Sequence, residues 1–226
     1  DYDKIYRIHN GYVMNGKESF FANSLLSTGE QVFHEVPGVE NFTRVTAWFR
    51  GNSLIKVNDQ FYNRTDILLA DSNFIDVFSF DLVLGNKNNF LKDPKQIAIT
   101  QKLSRKVFGN ENPIGEKIIF QDSTYTVNWL IQDPSINSHI KFDMLIPFDA
   151  MPSYYFSFDA FTYIKFKEKP DEAIKNKVIA VTNRVNEEQV GEYATDFKAD
   201  IMSLRDIYLK SNFWACLTQL IYLIKF

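Results

Sequence analysis

The sequence predicts an α+β fold: a split pair of β-α-β units, ferredoxin-like in pattern, with a mixed α/β sub-domain inserted between the halves. Three observations predict it. A strand–helix–strand order fills residues 4–49, and the same order returns over residues 161–204. The long middle between them carries short strands, turns and helices of its own. The boundaries implied are residues 1–60 and 150–212 for the halves, 61–149 for the insertion and 213–226 for an apolar tail.

Residues 4–13, KIYRIHNGYV, are rich in β-branched and aromatic side chains and read as a strand. Asn15-Gly16 is a hairpin dipeptide, since a tight primed turn needs positive φ at both positions, and a short strand follows at 19–21. Ser24 is placed to cap a helix whose apolar positions Leu25, Leu26, Val32, Phe33 and Val36 recur at helical spacing, and Pro37-Gly38 stops it. Residues 39–49 return to strand character. Further on, 53–57 and 66–70 read as strands around the polar turn NDQFYNRT. Ser72 caps a helical turn, SNFIDVFSF, ending near Gly85-Asn86. Gln96–Thr100 is a strand whose Thr100 caps the helix QKLSRKVFG, with Gly109 just past its end. Lys117–Phe120 and 125–132 form a hairpin across Gln121-Asp122-Ser123, and Pro134 bars helix before the β-rich IKFDMLIPF. Phe161–Phe166 alternates as a strand. Pro170-Asp171 then opens a helix with Ala173, Ile174, Val178, Val181 and Val185 on one face, and 195–204 alternates again.

Composition excludes several classes. At 226 residues, 45% hydrophobic and 23% charged, the chain is an ordinary globular sequence with material for a core. Lys+Arg 25 against Asp+Glu 28 leaves a net charge of −3, which argues against a dedicated nucleic-acid binder. Aromatic residues make up 15%, in keeping with a β-rich chain. No stretch in the body of the chain reaches the roughly 18–20 apolar residues of a membrane span. The opening DYDK is charged, with no initiator Met and no signal-peptide h-region behind it, so the sequence reads as a piece excised from a longer protein. The ending FWACLTQLIYLIKF reads either as a last core helix or as a membrane helix cut short.

A search for chemistry finds little. There is no G-x-G-x-x-G, no P-loop, no G-x-S-x-G elbow and no S-x-x-K set, and the single Cys216 permits neither an internal disulfide nor a cysteine zinc site. His9, His34 and His139 are far apart and read as surface or loop-anchoring residues. Asp71, Asp76 and Asp81 cluster around a short helix, where Asp71 reads as a capping or dipole contribution beside the core residues Phe74, Phe78 and Phe80. Lys102, Arg105 and Lys106 form a basic, solvated helix face. Two sequons, Asn41-Phe42-Thr43 and Asn63-Arg64-Thr65, matter only in a secreted eukaryotic protein. No catalytic, cofactor-binding or metal-ligating set is assigned, and no cofactor is expected.

Three segments carry a resemblance. Residues 70–86 (ADSNFIDVFSFDLVLGN), 99–120 (ITQKLSRKVFGNENPIGEKIIF) and 133–148 (DPSINSHIKFDMLIPF) resemble, in this order, the extracytoplasmic core domain of MacB/FtsX-like ABC transporter permeases, especially those of Bacteroidetes. The opening DKIYRIHN is similar to the family's segment after its first membrane helix. The chain departs from the pattern at Val127-Asn128-Trp129-Leu130, where Trp129 stands in place of a family Gly. The resemblance implies structural-motif residues at Asn112, Pro113, Ile114 and Gly115, a rigid turn, and at Ser138, His139, Phe142 and Asp143. It also implies porter-like halves around a Sabre-like insertion, in an inner-membrane protein whose core domain is periplasmic. The function implied is non-enzymatic: the domain couples ATP-driven motion of the membrane part to export or to a periplasmic partner, called mechanotransmission. Implied partners are the permease's own membrane helices and a cytoplasmic ATPase domain or subunit, with a periplasmic adaptor and a homodimer of the full-length protein as further options and no nucleic acid. An alternative reading is a periplasmic ligand- or lipid-binding module, in which Tyr154, Tyr155, Phe156 and Phe158 line an apolar cleft. A third is a hydrolase with a dispersed carboxylate pair.

Overall fold

In a computed structural model, the described residues are 2–14, 17–136, 138–150, 160–191 and 197–210. The chain divides into two units, Asp1–Phe42 with Phe156–Phe226, and Thr43–Tyr155. In chain order the elements are β1 (Ile5–Met14), β2 (Lys17–Phe21), α1 (Thr28–Glu35) and β3 (Val39–Val57). Next come β4 (Gln60–Ala70), α2 (Phe74–Phe78), β5 (Leu82–Leu84), β6 (Gln96–Thr100), α3 (Gln101–Phe108), β7 (Lys117–Phe120), β8 (Ser123–Ile131) and β9 (Met144–Pro147). Last are β10 (Phe161–Phe166), α4 (Glu172–Val190), β11 (Phe197–Ser203) and α5 (Leu204–Lys210).

In the first unit, β1 is flanked by antiparallel β10 (Ile5↔Lys165 to Arg7↔Tyr163) and antiparallel β11 (Tyr6↔Ser203 to Tyr12↔Phe197). The start of β3 continues the order β11-β1-β10-β3. Side chains alternate across a strand. Tyr6 and Ile8 therefore join Ile164 and Phe166 against Val32 and Val36 of α1 and its flank, and against Val178, Val181 and Val185 of α4. Each aliphatic side chain buried there stabilises by about 1.5–3 kcal/mol. The other face of β1 carries Ile5, Arg7 and His9, all buried.

Local chemistry sets the helix ends, sometimes not as the sequence suggests. Asp171 Oδ1 accepts from Ile174 N at 2.9 Å and starts α4 as expected, but Ala173 on its first turn is exposed. Ser24 does not cap α1: its hydroxyl donates to Thr162 Oγ1 at 2.7 Å, and the helix begins later, with Ser27 at the cap position. Tertiary hydrogen bonding outcompetes the local cap. Likewise Asn73 rather than Ser72 precedes α2.

Residues 39–49 and 53–57 are one continuous strand, β3, which in the second unit turns into β4 through Asn58 and Asp59, both at positive φ. β4 runs parallel to β9, β9 antiparallel to β6, and β6 parallel to β8. β7 pairs with β8 and, at Lys56↔Ile119, with β3. The hydrogen-bonded neighbours β3-β4-β9-β6-β8-β7 thus return to β3, an arrangement that leaves few bare edges. Ile55, Ile67, Leu69, Ile97, Ile99, Val127 and Leu145 are among its buried residues.

Candidate functional site

The third of the similar segments ties the other two together. Asp143, at the entry to β9, donates from its N to Asp66 O at 2.7 Å and accepts Asp66 N on Oδ2 at 3.0 Å, while its carbonyl takes Thr100 N at 2.9 Å. Lys102 Nζ lies 3.5 Å from Asp143 Oδ1. Asp133 accepts Lys102 N on Oδ1 at 2.6 Å and Arg105 Nη2 on Oδ2 at 2.8 Å. With Thr100 Oγ1 accepting Leu103 N at 3.2 Å, donors that the first turn of a helix leaves unpaired are taken up around α3. The carboxylates also suit the positive end of its dipole.

On the other side, Phe142 packs edge-on against Phe74 at 5.5 Å and Phe80 at 5.3 Å, and the His139 ring lies 6.4 Å from Phe78. The intervening loop is fastened to itself. Ser138 Oγ donates to Ile140 O at 2.9 Å and accepts Ile140 N at 3.2 Å, and Ser138 N donates to Ser135 O at 2.8 Å. Lys141 Nζ donates to the carbonyls of Ser135 and Ile136, both at 2.6 Å.

Asn112, Pro113, Ile114 and Gly115 stand apart, between α3 and β7. Asn112 Oδ1 accepts Ile114 N at 3.1 Å, an Asx turn. Pro113 O takes Glu116 N at 3.1 Å, and Gly115, at φ +92, donates its N to Val127 O at 2.8 Å. That φ suits a residue without Cβ. Nearby, Trp129 is fully buried, donates Nε1 to Asn86 O at 2.8 Å and meets Phe90 at 5.3 Å between centroids. Its space exists because Gly85 has no side chain: a Cβ there would sit 2.4 Å from Trp129 Cδ1.

The titratable residues are scattered. His34 is exposed on α1, 3.9 Å from Glu30. His9 is neither on the surface nor in a loop: it is 1% exposed, beside Arg7 at 2%. Arg7 Nε donates to His9 Nε2 at 2.9 Å. Burial first, and the Arg7 charge second, push the His9 pKa down to about 3, so the ring is the neutral acceptor. The signal for this was in KIYRIH, where Arg7 and His9 share one strand face and Tyr6 and Ile8 the other. Asp71 does not cap a helix with its side chain. It accepts Arg44 Nη2 at 2.7 Å, Nε at 3.0 Å and the Arg44 backbone N at 2.6 Å, because a guanidinium offers more than one helical N–H. Asp76 pairs with Lys87 at 2.5 Å, and Asp81 contributes its carbonyl to Gln132 N. Among the described residues no group of three or more His, Cys, Asp or Glu is placed to hold a metal. Tyr154, Tyr155, Phe156, Phe158, the Asn15-Gly16 turn and the 213–226 tail with Cys216 lie outside the described residues. Among the described residues no helix is long and apolar enough to cross a membrane.

A family model, that of the MacB-like periplasmic core domain, matches residues 2–192. The chain belongs to this family. The MacB-like periplasmic core domain is an extracytoplasmic part of ABC transporter permeases, so the recognition drawn from the three segments holds. Solved structures share its fold. A domain of a protein described as a permease, from Porphyromonas gingivalis, has 24% identity and a TM-score of 0.77, covering 89% of this chain and 90% of that one. The periplasmic region of MacB from Actinobacillus actinomycetemcomitans has 16% identity and a TM-score of 0.66, covering 91% of each chain. The extracellular domain of the noncanonic ABC-type transporter YknZ from Gram-positive bacteria has 15% identity and a TM-score of 0.61, covering 87% of this chain and all of that one. No functionally curated protein matches the sequence.

Proposed function

We propose that this MacB-like domain is a non-catalytic coupling element, passing ATP-driven motion of a permease's membrane part to export or to a periplasmic partner. One observation carries the reading. β1, at the start of the first unit, and β11, near its end, are hydrogen-bonded neighbours over seven registered pairs from Tyr6↔Ser203 to Tyr12↔Phe197. α5 packs against the turn at Tyr2–Lys4. A displacement delivered at either end therefore reaches one sheet, and packed sheets move as bodies rather than deforming. In this reading the β11-β1-β10-β3 unit is the porter-like pair and the Thr43–Tyr155 unit is the Sabre-like insertion. ATP is then hydrolysed by a cytoplasmic domain or subunit, the full-length protein works as a homodimer in the inner membrane, and Asn112–Gly115 serve as a rigid turn.

The test uses the full-length permease with its ATPase. Amide exchange of β1 and β11 is compared between nucleotide-free and ATP-trapped states, with and without a flexible Gly-Ser insertion between Lys4 and Ile5. A nucleotide-dependent difference that disappears on insertion, while ATP hydrolysis continues, is the expected result. No difference in the uninserted protein, or substrate turnover by the isolated domain, overturns the reading.

A further inference from the structure

We propose that the outer edge of β4 at Phe61–Asn63 is a docking site for an extended, carboxylate-bearing segment of a partner protein, which joins the sheet as one more strand. The inference rests on the coupling reading for the existence of a partner, and names that partner's conformation and the place where it binds. Asn58 and Asp59, both at positive φ, make the β3–β4 connection a two-residue type I′ turn. Its closing pair, Val57↔Gln60, is hydrogen-bonded, since such a turn joins the N–H of its last residue to the C=O of its first. Bonded and open pairs then alternate along an antiparallel ladder. Lys56↔Phe61 is an open pair and Ile55↔Tyr62 a bonded one, so the N–H and C=O groups of Phe61 and Asn63 turn away from β3. On that side β9 accompanies β4 only from Ile67↔Met144 to Ala70↔Pro147, and Asp143 closes the row at Asp66. Between Asp66 and the turn, no strand among the described residues covers the edge.

The Asn63 carbonyl takes Lys106 Nζ at 3.0 Å. The Phe61 N–H, the Phe61 C=O and the Asn63 N–H have no partner among the described residues. Natural strand edges are normally blunted. β11, the outermost strand of the first unit, is an example: Asn183 Oδ1 accepts its Ala199 N–H at 2.8 Å and Asp200 Oδ1 its Ile201 N–H at 2.7 Å. β4 instead presents Phe61, 67% exposed, in a row with Lys56 and the exposed Ile119 of β7. Backbone spacing identifies the occupant as extended polypeptide. Edge donors and acceptors recur at alternate residues, about 7 Å apart, which an added strand matches and a lipid or a helix does not. Phe61 gives that strand a cross-strand aromatic contact. Lys56 is already paired with Asp59 at 2.7 Å, whereas Lys106 holds a neutral carbonyl. The charge left for the incoming segment is therefore a cation beside Asn63, which a carboxylate complements. A second copy fits this edge badly. An isologous contact sets the same edge against itself, and antiparallel pairing of two Phe61–Asn63 edges brings both Lys106 ammonium groups onto one short ladder.

The experiment places a photo-crosslinking aromatic residue at position 61 of the full-length permease in its native membrane, with a control at Val83, exposed on β5. The expected result is one protein adduct, from position 61 only. The partner peptide that carries the adduct is then made synthetically and titrated against the purified full-length permease, while exchange of the Phe61 and Asn63 amides is followed. At saturation both amides slow about tenfold or more. Asn63→Pro removes an N–H that β3 does not use and weakens peptide binding about tenfold or more. Lys106→Glu weakens it about threefold or more. Each variant is read in a protein whose unfolding midpoint matches the parent; if Asn63→Pro shifts the midpoint, the two amides and Lys106→Glu decide. No adduct, an adduct to lipid or to a second copy of this chain, or a captured peptide without a carboxylate overturns the proposal. So do amides at 61 and 63 that exchange as fast with the peptide as without it, or binding indifferent to Lys106→Glu. If the nucleotide-dependent exchange difference at β1 and β11 survives such a result, the docking site falls and the coupling reading stands.

Discussion

His9 makes the stability of this domain depend on pH between about 3 and 6.5. Its pKa is about 3 in the folded protein against an ordinary 6.5, with burial the larger cause and Arg7 the second. Between those values the unfolded chain binds a proton that the folded one does not, so stability rises with pH across the window and is lost as pH falls through it. Each pH unit is worth about 1.4 kcal/mol. The loss relative to pH 7 is then about 2 kcal/mol at pH 5 and about 4 kcal/mol at pH 3. The control is His9→Gln, whose amide oxygen can accept from Arg7 Nε but does not titrate. Asp200, directly opposite His9 on β11, and Tyr163 and Lys165 on β10 are present in both proteins. Urea unfolding followed by far-UV circular dichroism at pH 7.0, 6.0, 5.5 and 5.0 gives the measurement. The wild-type curve should fall away from that of His9→Gln by about 2 kcal/mol at pH 5. Parallel curves would refute the buried, neutral His9.

Gly85→Ala should lower stability by about 2–4 kcal/mol in the same urea assay, because its Cβ would meet Trp129 Cδ1 at 2.4 Å and Asn128 O at 2.6 Å from a φ of +103. Gly115→Ala, with nothing within 4 Å and a φ of +92, should lose only about 1–2 kcal/mol of backbone strain. Equal effects from the two would show that the space around Trp129 is not filled as described. Asp143→Ala leaves Asp66 N, otherwise bonded at 3.0 Å, without its side-chain acceptor, and should destabilise by about 1–3 kcal/mol in thermal melts. Asp143→Asn, which keeps an acceptor oxygen, should lose less.

The sequence by itself determined the elements whose signals are local. The strand at Gln96–Thr100, the Thr100 cap, the helix through Phe108 and the hairpin across Gln121-Asp122 follow from alternation, a hydroxyl before a helical run and residues tolerant of positive φ. The three similar segments were equally legible, and they were enough to place the chain in its family, because their order along the chain is itself information. Tertiary structure alone decided what those segments do to one another. Nothing in DPSINSHIKFD says that Asp133 and Asp143, ten positions apart, close on the same helix start, or that Phe142 turns to Phe74 and Phe80. It also decided against local preference: Ser24 bonds Thr162 instead of capping α1, and Asp71 holds Arg44 instead of a helix end. His9 is buried although its residue type suggested the surface. Local propensities are worth about 1 kcal/mol or less per residue. A buried hydrogen bond or a charge pair with a partner distant in sequence can outweigh that, and a partner distant in sequence leaves no periodicity to read.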